Sequence, residues 1–296
     1  MPTLAARHGP IAYEVEGAGR PIVLICGLGS QLIRWSAPFR QALVDRGFQV
    51  IRLDNRDAGK SHDYPDDTTP DLKTLARALR GGEAVSLPYR LDDLADDVVT
   101  LLDALSIPRA DIFGVSMGGF IAQHLAFSHP DRVATLTLVM TSTGNPDLPG
   151  PSPEAQALLA RRSAGGDDRD ALIEQGIDNA MVIASPAYPP EPAALRARVT
   201  AEIDRAHRPL GYVRQRAAIL ADGDRSDRVR RISAPTLVIH GTDDPLVPHQ
   251  GGEALASLIP GAQLRLFEGM GHELPPELND AIADAVAALS RMESVA

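Results

Sequence analysis

Residues 111–118, Asp-Ile-Phe-Gly-Val-Ser-Met-Gly, decide the fold. Residues 111–115, apolar except for Asp111, predict a buried strand, and the residues after it have the spacing of a helix. Between the two, residues 114–118 fit the pattern G-x-S-x-G, which places a serine on a sharp, strained turn that needs small neighbours. The context predicts that the Ser116 hydroxyl projects above a sheet as a nucleophile, whereas the simpler interpretation is an ordinary tight turn.

Short apolar runs alternate with helical periodicity along most of the chain. This alternation is typical of an α/β protein whose mostly parallel sheet is flanked by helices. The other predicted strands are residues 22–25, 48–53, 134–139, 236–239 and 263–267. Leu91, Leu94, Val98, Leu102 and Leu105 predict one helical face, with Asp92, Asp93, Asp96 and Asp97 turned outward, and Ile282, Val286 and Leu289 predict a terminal helix.

One region interrupts the alternation. Residues 145–230 carry nine prolines among Ala-rich helical stretches and contain no convincing strand. The region is too long for an ordinary connection, so we interpret it as a helical cap over the carboxyl edge of the sheet. The chain then divides into a first core part (1–144), the cap (145–230) and a second core part (231–296). The shorter stretch 63–88 is expected to be irregular and to line the same entrance.

A nucleophilic serine needs a base, and the base needs a group that orients it. Asp243 and Asp244 follow the predicted strand 236–239, and His272 follows the predicted strand 263–267. The carboxyl ends of parallel strands share one edge of a sheet, where the sites of α/β proteins form. Ser116, one of the two aspartates and His272 are therefore the candidate catalytic set, and His240 is a candidate supporting partner.

An oxyanion formed at Ser116 needs two preorganised donors. One is expected to be the backbone N–H of Met117, directly after the serine. The other is expected from the loop after strand 22–25, most plausibly the N–H of Leu28. The glycines of that loop also have a simpler interpretation, in which they only turn the chain, and the two interpretations are compatible.

These motifs resemble those of α/β-hydrolases over essentially the whole chain. Residues 53–61 and 269–275 resemble a bacterial group that includes aclacinomycin methylesterase and related carboxylesterases. The resemblance implies ester hydrolysis through an acyl-enzyme on Ser116. The turn 241–248 is similar to the family's acid turn G-x-x-D-x-x-V-P, which selects Asp244 rather than Asp243. Since all these residues lie outside 145–230, the cap is expected to affect substrate choice more than basal chemistry.

The chain departs from the family pattern at two positions. Cys26 stands where many relatives carry histidine, which changes the polarity of the pocket but leaves the backbone donors in place. Asp57 stands where many carry glycine, and Arg56 and Asp57 are expected to have a structural role. Carbon–carbon bond hydrolysis, cofactor-free perhydrolysis and a non-catalytic receptor function remain alternatives. Dehalogenase and epoxide hydrolase activities are disfavoured, because those enzymes place a carboxylate where Ser116 stands.

The composition and net charge indicate which classes of partner and cofactor the chain can bind. The formal net charge of −10 disfavours nucleic acid, so a small-molecule ester is the expected partner. Cys26 is the only cysteine, which excludes an intrachain disulfide and a cysteine-based metal site, and no cofactor or metal is predicted. The absence of an apolar leader favours a cytoplasmic location, and apolar runs such as 22–26 are too short to insert in a bilayer. The oligomeric state stays open.

Overall fold

The structure, a computed structural model, describes residues 2–6, 8–161 and 168–293. Within them, eight strands form one sheet in the order β1-β2-β4-β3-β5-β6-β7-β8. The strands are β1 (Thr3–Ala6), β2 (Gly9–Glu16), β3 (Arg20–Ile25), β4 (Phe48–Leu53), β5 (Ala110–Val115), β6 (Val133–Val139), β7 (Thr236–Gly241) and β8 (Gln263–Phe267). β1 and β2 are antiparallel to their neighbours, and the pairs from β4 to β8 are parallel. The predicted α/β class with a mostly parallel sheet is confirmed.

Helices cover both faces of the sheet. They are α1 (Ala37–Val44), α2 (Leu72–Arg80), α3 (Leu91–Ala104), α4 (Met117–Ser128), α5 (Pro153–Ala160), α6 (Arg169–Val182), α7 (Pro192–Arg205), α8 (Pro209–Asp222), α9 (Ser226–Val229), α10 (Gln250–Leu258) and α11 (Asn279–Glu293). Alternate residues of β3 serve the two faces, as the period of a strand requires. Val23 and Ile25 pack in the core beneath α3 and α4, whereas Ile22 and Leu24 pack in the core beneath α1 and α11.

Each of the six predicted strands is present, but three features differ from the sequence interpretation. The antiparallel edge formed by β1 and β2 was not predicted. The stretch 63–88 is not wholly irregular, because α2 lies within it and contacts α8. Asp97 is wrongly placed in the outward-facing acidic set, since it is buried and its carboxylate lies 2.5 Å from the Arg56 guanidinium. Helical spacing predicts that Asp97 points outward, but its ion pair with Arg56, in the loop after β4, holds it in the interior.

Five helices, α5 to α9, lie between β6 and β7, and we call residues 145–230 the helical segment. Its described residues include no strand. Pro153, Pro192 and Pro209 are each the first residue of a helix, where the missing N–H costs nothing and the fixed φ favours helix entry. Three of the nine prolines in this region therefore mark where helices begin. No helix in the described part of the chain is long and apolar enough to span a membrane.

Buried ion pairs attach the helical segment to the loop after β4. Arg214 of α8 donates to both carboxylate oxygens of Asp57, at 2.8 and 2.9 Å, and both side chains are almost fully buried. Burial raises the pKa of Asp57, but hydrogen bonds from Arg214 and from the N–H of Tyr64 lower it by more, so the carboxylate stays ionised. Arg205 of α7 similarly donates to Asp54 at 2.7 Å. Asp57 therefore has the structural role expected for it.

Helix α4 packs tightly against the end of β3. A Cβ on Gly118 would lie 2.1 Å from the carbonyl oxygen of Ile25, and neither backbone segment can yield easily. We expect Gly118→Ala to lower the free energy of unfolding by about 1–3 kcal/mol or more, measured by urea denaturation. Gly150→Ala is the matched control, because nothing lies within 4 Å of its Cβ position, and it should change stability by less than about 0.5 kcal/mol. Equal stability of the two variants would contradict the packing argument.

Candidate active site

Ser116 lies at the junction of β5 and α4 in a strained backbone conformation. Its φ of 55° and ψ of −119° are rarely adopted by residues other than glycine. The turn is held on both sides: the N–H of Ser116 donates to the carbonyl of Val139 at 3.0 Å, and the Thr141 hydroxyl donates to the Ser116 carbonyl at 2.9 Å. A Cβ on Gly114 would lie 2.3 Å from the Gly118 carbonyl oxygen, so the turn requires a glycine there.

The loop that carries Leu28 runs beside Ser116. A Cβ built on Gly27 would lie only 3.2 Å from the Cβ of Ser116. Met117, the other expected donor residue, is the first residue of α4, and the first N–H groups of a helix have no partner within it. The backbone geometry therefore places both expected oxyanion donors in segments that adjoin the serine.

Cys26, which departs from the family pattern, is buried just before this loop. Burial raises the pKa of its thiol well above the ordinary range, so the thiol is neutral. Its Sγ–H donates to the carbonyl of Gln31, and its own carbonyl accepts from the Asn55 amide at 3.0 Å. The residue is a small, uncharged packing group in the core beneath α1 and α11.

Asp244 and His272 are in direct contact. His272 Nδ1 lies 2.7 Å from Asp244 Oδ2, and both side chains are buried. The other carboxylate oxygen, Oδ1, accepts from the N–H groups of Leu246 and Val247 at 2.9 and 2.8 Å. Burial raises the pKa of Asp244, but His272 and His240 lower it by more, so its pKa lies well below the usual range. Asp244 is thus a fixed anion facing the imidazole.

The neighbouring carboxylate, Asp243, points elsewhere. It is exposed, and its Oδ2 accepts from the Thr242 hydroxyl at 2.7 Å and from the N–H of Gly269 at 3.1 Å. These bonds tie the loop after β7 to the loop that carries His272. Of the two adjacent aspartates, the structure brings only Asp244 to the histidine.

His240, the candidate supporting partner, lies beside this pair. Its ring is fully buried, and its Nε2 donates to the carbonyl of Val247 at 2.7 Å and lies 3.4 Å from Asp244 Oδ2. The carbonyl can only accept, so Nε2 carries the proton. His240 therefore adds positive potential and shape to the acid turn, beside the carboxylate rather than beside the serine.

The helical segment also bonds to the loops of the site, which the sequence did not indicate. The N–H of His272 donates to the carbonyl of Ile183 at 2.9 Å, and the N–H of Gly271 donates to the Ser185 hydroxyl at 2.9 Å. The N–H of Gly29 donates to Gln215 Oε1 at 2.8 Å. These contacts join residues 86 to 186 positions apart, so no local pattern could have identified them.

Ser116, Asp244 and His272 follow strands whose carboxyl ends meet at one edge. Val115 pairs with Val139 across β5 and β6, and Gly241 pairs with Phe267 across β7 and β8. Among the described residues, no hydrogen bond joins the Ser116 hydroxyl to His272. Such bonds are often long without substrate and tighten in the reacting complex. The described residues contain no group of three or more His, Cys, Asp or Glu side chains that could hold a metal ion.

Residues 20–277 match the family model described as alpha/beta hydrolase fold. Three relatives span most of the chain. Rhodomycin D methylesterase DauP of Streptomyces sp. strain C5 is 27% identical over the full length of both chains. A putative carbamate hydrolase, RutD, of Variovorax paradoxus is 34% identical over 89% of each chain. The 2-hydroxy-6-oxononadienedioate/2-hydroxy-6-oxononatrienedioate hydrolase of Cupriavidus pinatubonensis is 30% identical over 86% of this chain and 82% of its own.

A similar solved structure is that of a hydrolase from Pseudomonas aeruginosa PA01. It superposes with a TM-score of 0.70 and is 27% identical in sequence, covering 100% of this chain and 98% of that one. The similarity in sequence and in fold therefore extends over the helical segment as well as the sheet.

The two adjacent aspartates provide a matched test of the site. Asp244→Asn should lower kcat for an ester by about 10⁴-fold, since an amide at this position stabilises the wrong tautomer of the histidine. Asp243→Asn should cost less than about tenfold in kcat, because its side chain contacts a loop rather than the imidazole. Steady-state kinetics of both purified variants decides between them. A larger loss at Asp243, or equal losses, would show that the acid is assigned to the wrong residue.

Proposed function

Since this chain belongs to the α/β-hydrolase fold family, we propose that it hydrolyses carboxylic esters through an acyl-enzyme formed on Ser116. The observation that carries the proposal is the buried contact between Asp244 and His272, which lies at the same sheet edge as the strained turn of Ser116. The relatives named as methylesterases support ester hydrolysis in particular. A hydroxyl, an oriented imidazole and a fixed anion are the groups that acyl transfer needs.

Acylation follows from the roles that these groups can take. His272 Nε2 removes the Ser116 proton as Oγ attacks the ester carbonyl carbon, while Asp244 holds the proton on Nδ1. The carbonyl oxygen becomes an oxyanion that accepts from the N–H groups of Leu28 and Met117. The C–O bond to the alcohol then breaks, and His272 returns the proton to the leaving oxygen.

Deacylation repeats the same steps with water. His272 takes a proton from a water molecule as the water oxygen attacks the acyl carbon, and the second oxyanion uses the same two donors. The bond to Ser116 Oγ breaks, the serine regains a proton from His272, and the carboxylic acid leaves. No cofactor or metal takes part in this scheme, and the substrate is a small-molecule ester.

We propose that the helical segment acts as a cap domain over this edge, between core parts 1–144 and 231–296. Its bonds to the loops of Gly29 and His272 support that position.

A cytoplasmic location is proposed as well, because a chain whose only cysteine is the buried Cys26 suits a reducing compartment.

The second candidate function is carbon–carbon bond hydrolysis. It is favoured by the relatives named as hydrolases of 2-hydroxy-6-oxo dienedioates, since such a substrate contains a ketone and no ester. The two functions share the fold and differ in the pocket, so substrate tests decide between them.

Replacing the proposed nucleophile tests the mechanism directly. Ser116→Ala should lower ester kcat by roughly 10⁴–10⁶-fold while the protein stays folded, because only the attacking oxygen is lost. A fluorophosphonate probe should label the wild-type chain at Ser116 and leave the variant unlabelled, as read by intact mass spectrometry. More than a tenth of the activity remaining in folded Ser116→Ala would refute the acyl-enzyme. A wild-type chain that takes up no probe and hydrolyses no ester would instead favour a receptor.

A substrate panel separates the two enzymatic functions. p-Nitrophenyl esters of increasing acyl length and bulky methyl esters should be cleaved, whereas a 2-hydroxy-6-oxo dienoic acid should be cleaved far more slowly. The assays follow nitrophenolate release, acid release and loss of dienoate absorbance. Faster cleavage of the oxo acid than of any ester would favour the carbon–carbon hydrolase.

A further inference from the structure

A glutamine of the helical segment joins the loop of Leu28 to the loop after β4. We infer that Gln215 is a positioning residue that fixes the oxyanion loop, residues 26–29, for catalysis. The inference rests on the proposed function, because it concerns the donor that Leu28 supplies in acyl transfer.

The Gln215 side chain lies on α8 and is fully buried. Its Oε1 accepts the N–H of Gly29 at 2.8 Å, and its Nε2 donates to the carbonyl of Arg56 at 2.7 Å. An N–H needs an acceptor and a carbonyl needs a donor, so only one orientation of the amide satisfies both bonds. The side chain is therefore held in a single orientation between two backbone segments.

The second of these segments is itself fixed in place. The Arg56 guanidinium is paired with the buried carboxylate of Asp97 on α3, with N–O distances of 2.5 and 2.9 Å. Asp57, the next residue, is paired with Arg214, the residue beside the glutamine on α8. Gln215 thus connects the oxyanion loop to an anchored segment.

Three features place the N–H of Leu28 between this bond and the serine. Gly29 has a φ of +66°, a conformation that the sequence permits but does not impose. A Cβ on Gly29 would lie 2.9 Å from the ring of Tyr212, so the loop runs directly under α8. At its other end, Gly27 lies against Ser116. The N–H of Leu28 is between these two points, so a shift at Gly29 moves the proposed donor relative to the serine.

Displacement of the donor N–H raises the free energy of the transition state more than that of the ground state. The oxyanion exists only during the reaction, and misplacement by about 1 Å can cost on the order of 10²-fold in rate. Substrate binding before the attack does not use this donor fully. Loss of the Gln215 bond should therefore lower kcat and leave KM nearly unchanged.

The test compares two substitutions at this position. Gln215→Met fills a similar volume but has no acceptor, and it should lower kcat at least about tenfold with KM within about twofold of wild type. Gln215→Glu retains an oxygen for the N–H of Gly29 and, in the protonated form that burial favours, an O–H for the carbonyl of Arg56, so it should recover most of the lost kcat. Affinity for a boronic acid inhibitor, whose tetrahedral adduct resembles the oxyanion, should fall in parallel with kcat in Gln215→Met.

Val199→Ala is the matched control for stability. Val199 belongs to the small core that α6 and α7 form within the helical segment, and its truncation destabilises that segment without touching the oxyanion loop. If Val199→Ala and Gln215→Met have similar Tm values, only the glutamine variant should lose kcat and inhibitor affinity. Equal losses in both, or wild-type kcat in folded Gln215→Met, would overturn the inference.

Two further measurements keep the result unambiguous. If Gln215→Met does not fold, Gln215→Asn keeps the amide but shortens the side chain by one methylene, and it should show the same loss of kcat without a change in KM. Fluorophosphonate labelling of the wild-type chain is run in parallel. Labelling together with unchanged kinetics in the glutamine variants would refute the role of Gln215 alone, whereas no labelling and no ester hydrolysis in the wild type would refute the proposed function itself.

Discussion

The close approach of α4 to the end of β3 is the contact on which the site depends. Gly118 lies against the carbonyl of Ile25, and no side chain can be accommodated between them. This contact leaves the chain only a sharp turn between β5 and α4, which is why Ser116 adopts its strained conformation. The hydrogen bonds from Ser116 to Val139 and from Thr141 to Ser116 hold that strain in place. The other two candidate residues, Asp244 and His272, then need only lie at the same edge of the sheet.

Elements defined by local patterns could be predicted from the sequence. The six apolar runs are strands, and the turns after β5, β7 and β8 carry the three residues singled out, of which Asp244 and His272 are in contact. Features set by distant partners could not be predicted. Helical spacing alone turns Asp97 outward, whereas Arg56 draws it into the interior. The role of Asp57 was expected to be structural, but its partner, Arg214, lies 157 residues along the chain.

The helical segment is hydrogen-bonded to the loops of the candidate site as well as packed against them. The sequence predicts a role in substrate choice, because the catalytic candidates lie outside the segment. Its backbone and side chains nevertheless hold the loop of His272, through Ile183 and Ser185, and the loop of Gly29, through Gln215. Direct hydrogen bonds therefore join the helical segment to two loops of the candidate site.

The buried pairs between the helical segment and the β4 loop also have an evolutionary consequence. Arg214 and Asp57 are both almost inaccessible to water, and loss of either partner would leave the other charge buried and unpaired. Sequences in which only one of the two residues has been replaced are therefore disfavoured. During evolution, the two positions are expected to change together or not at all. The same holds for recombination: a chimera whose helical segment lacks an arginine at position 214 would leave Asp57 buried and unpaired, so it must also receive a β4 loop without that charge.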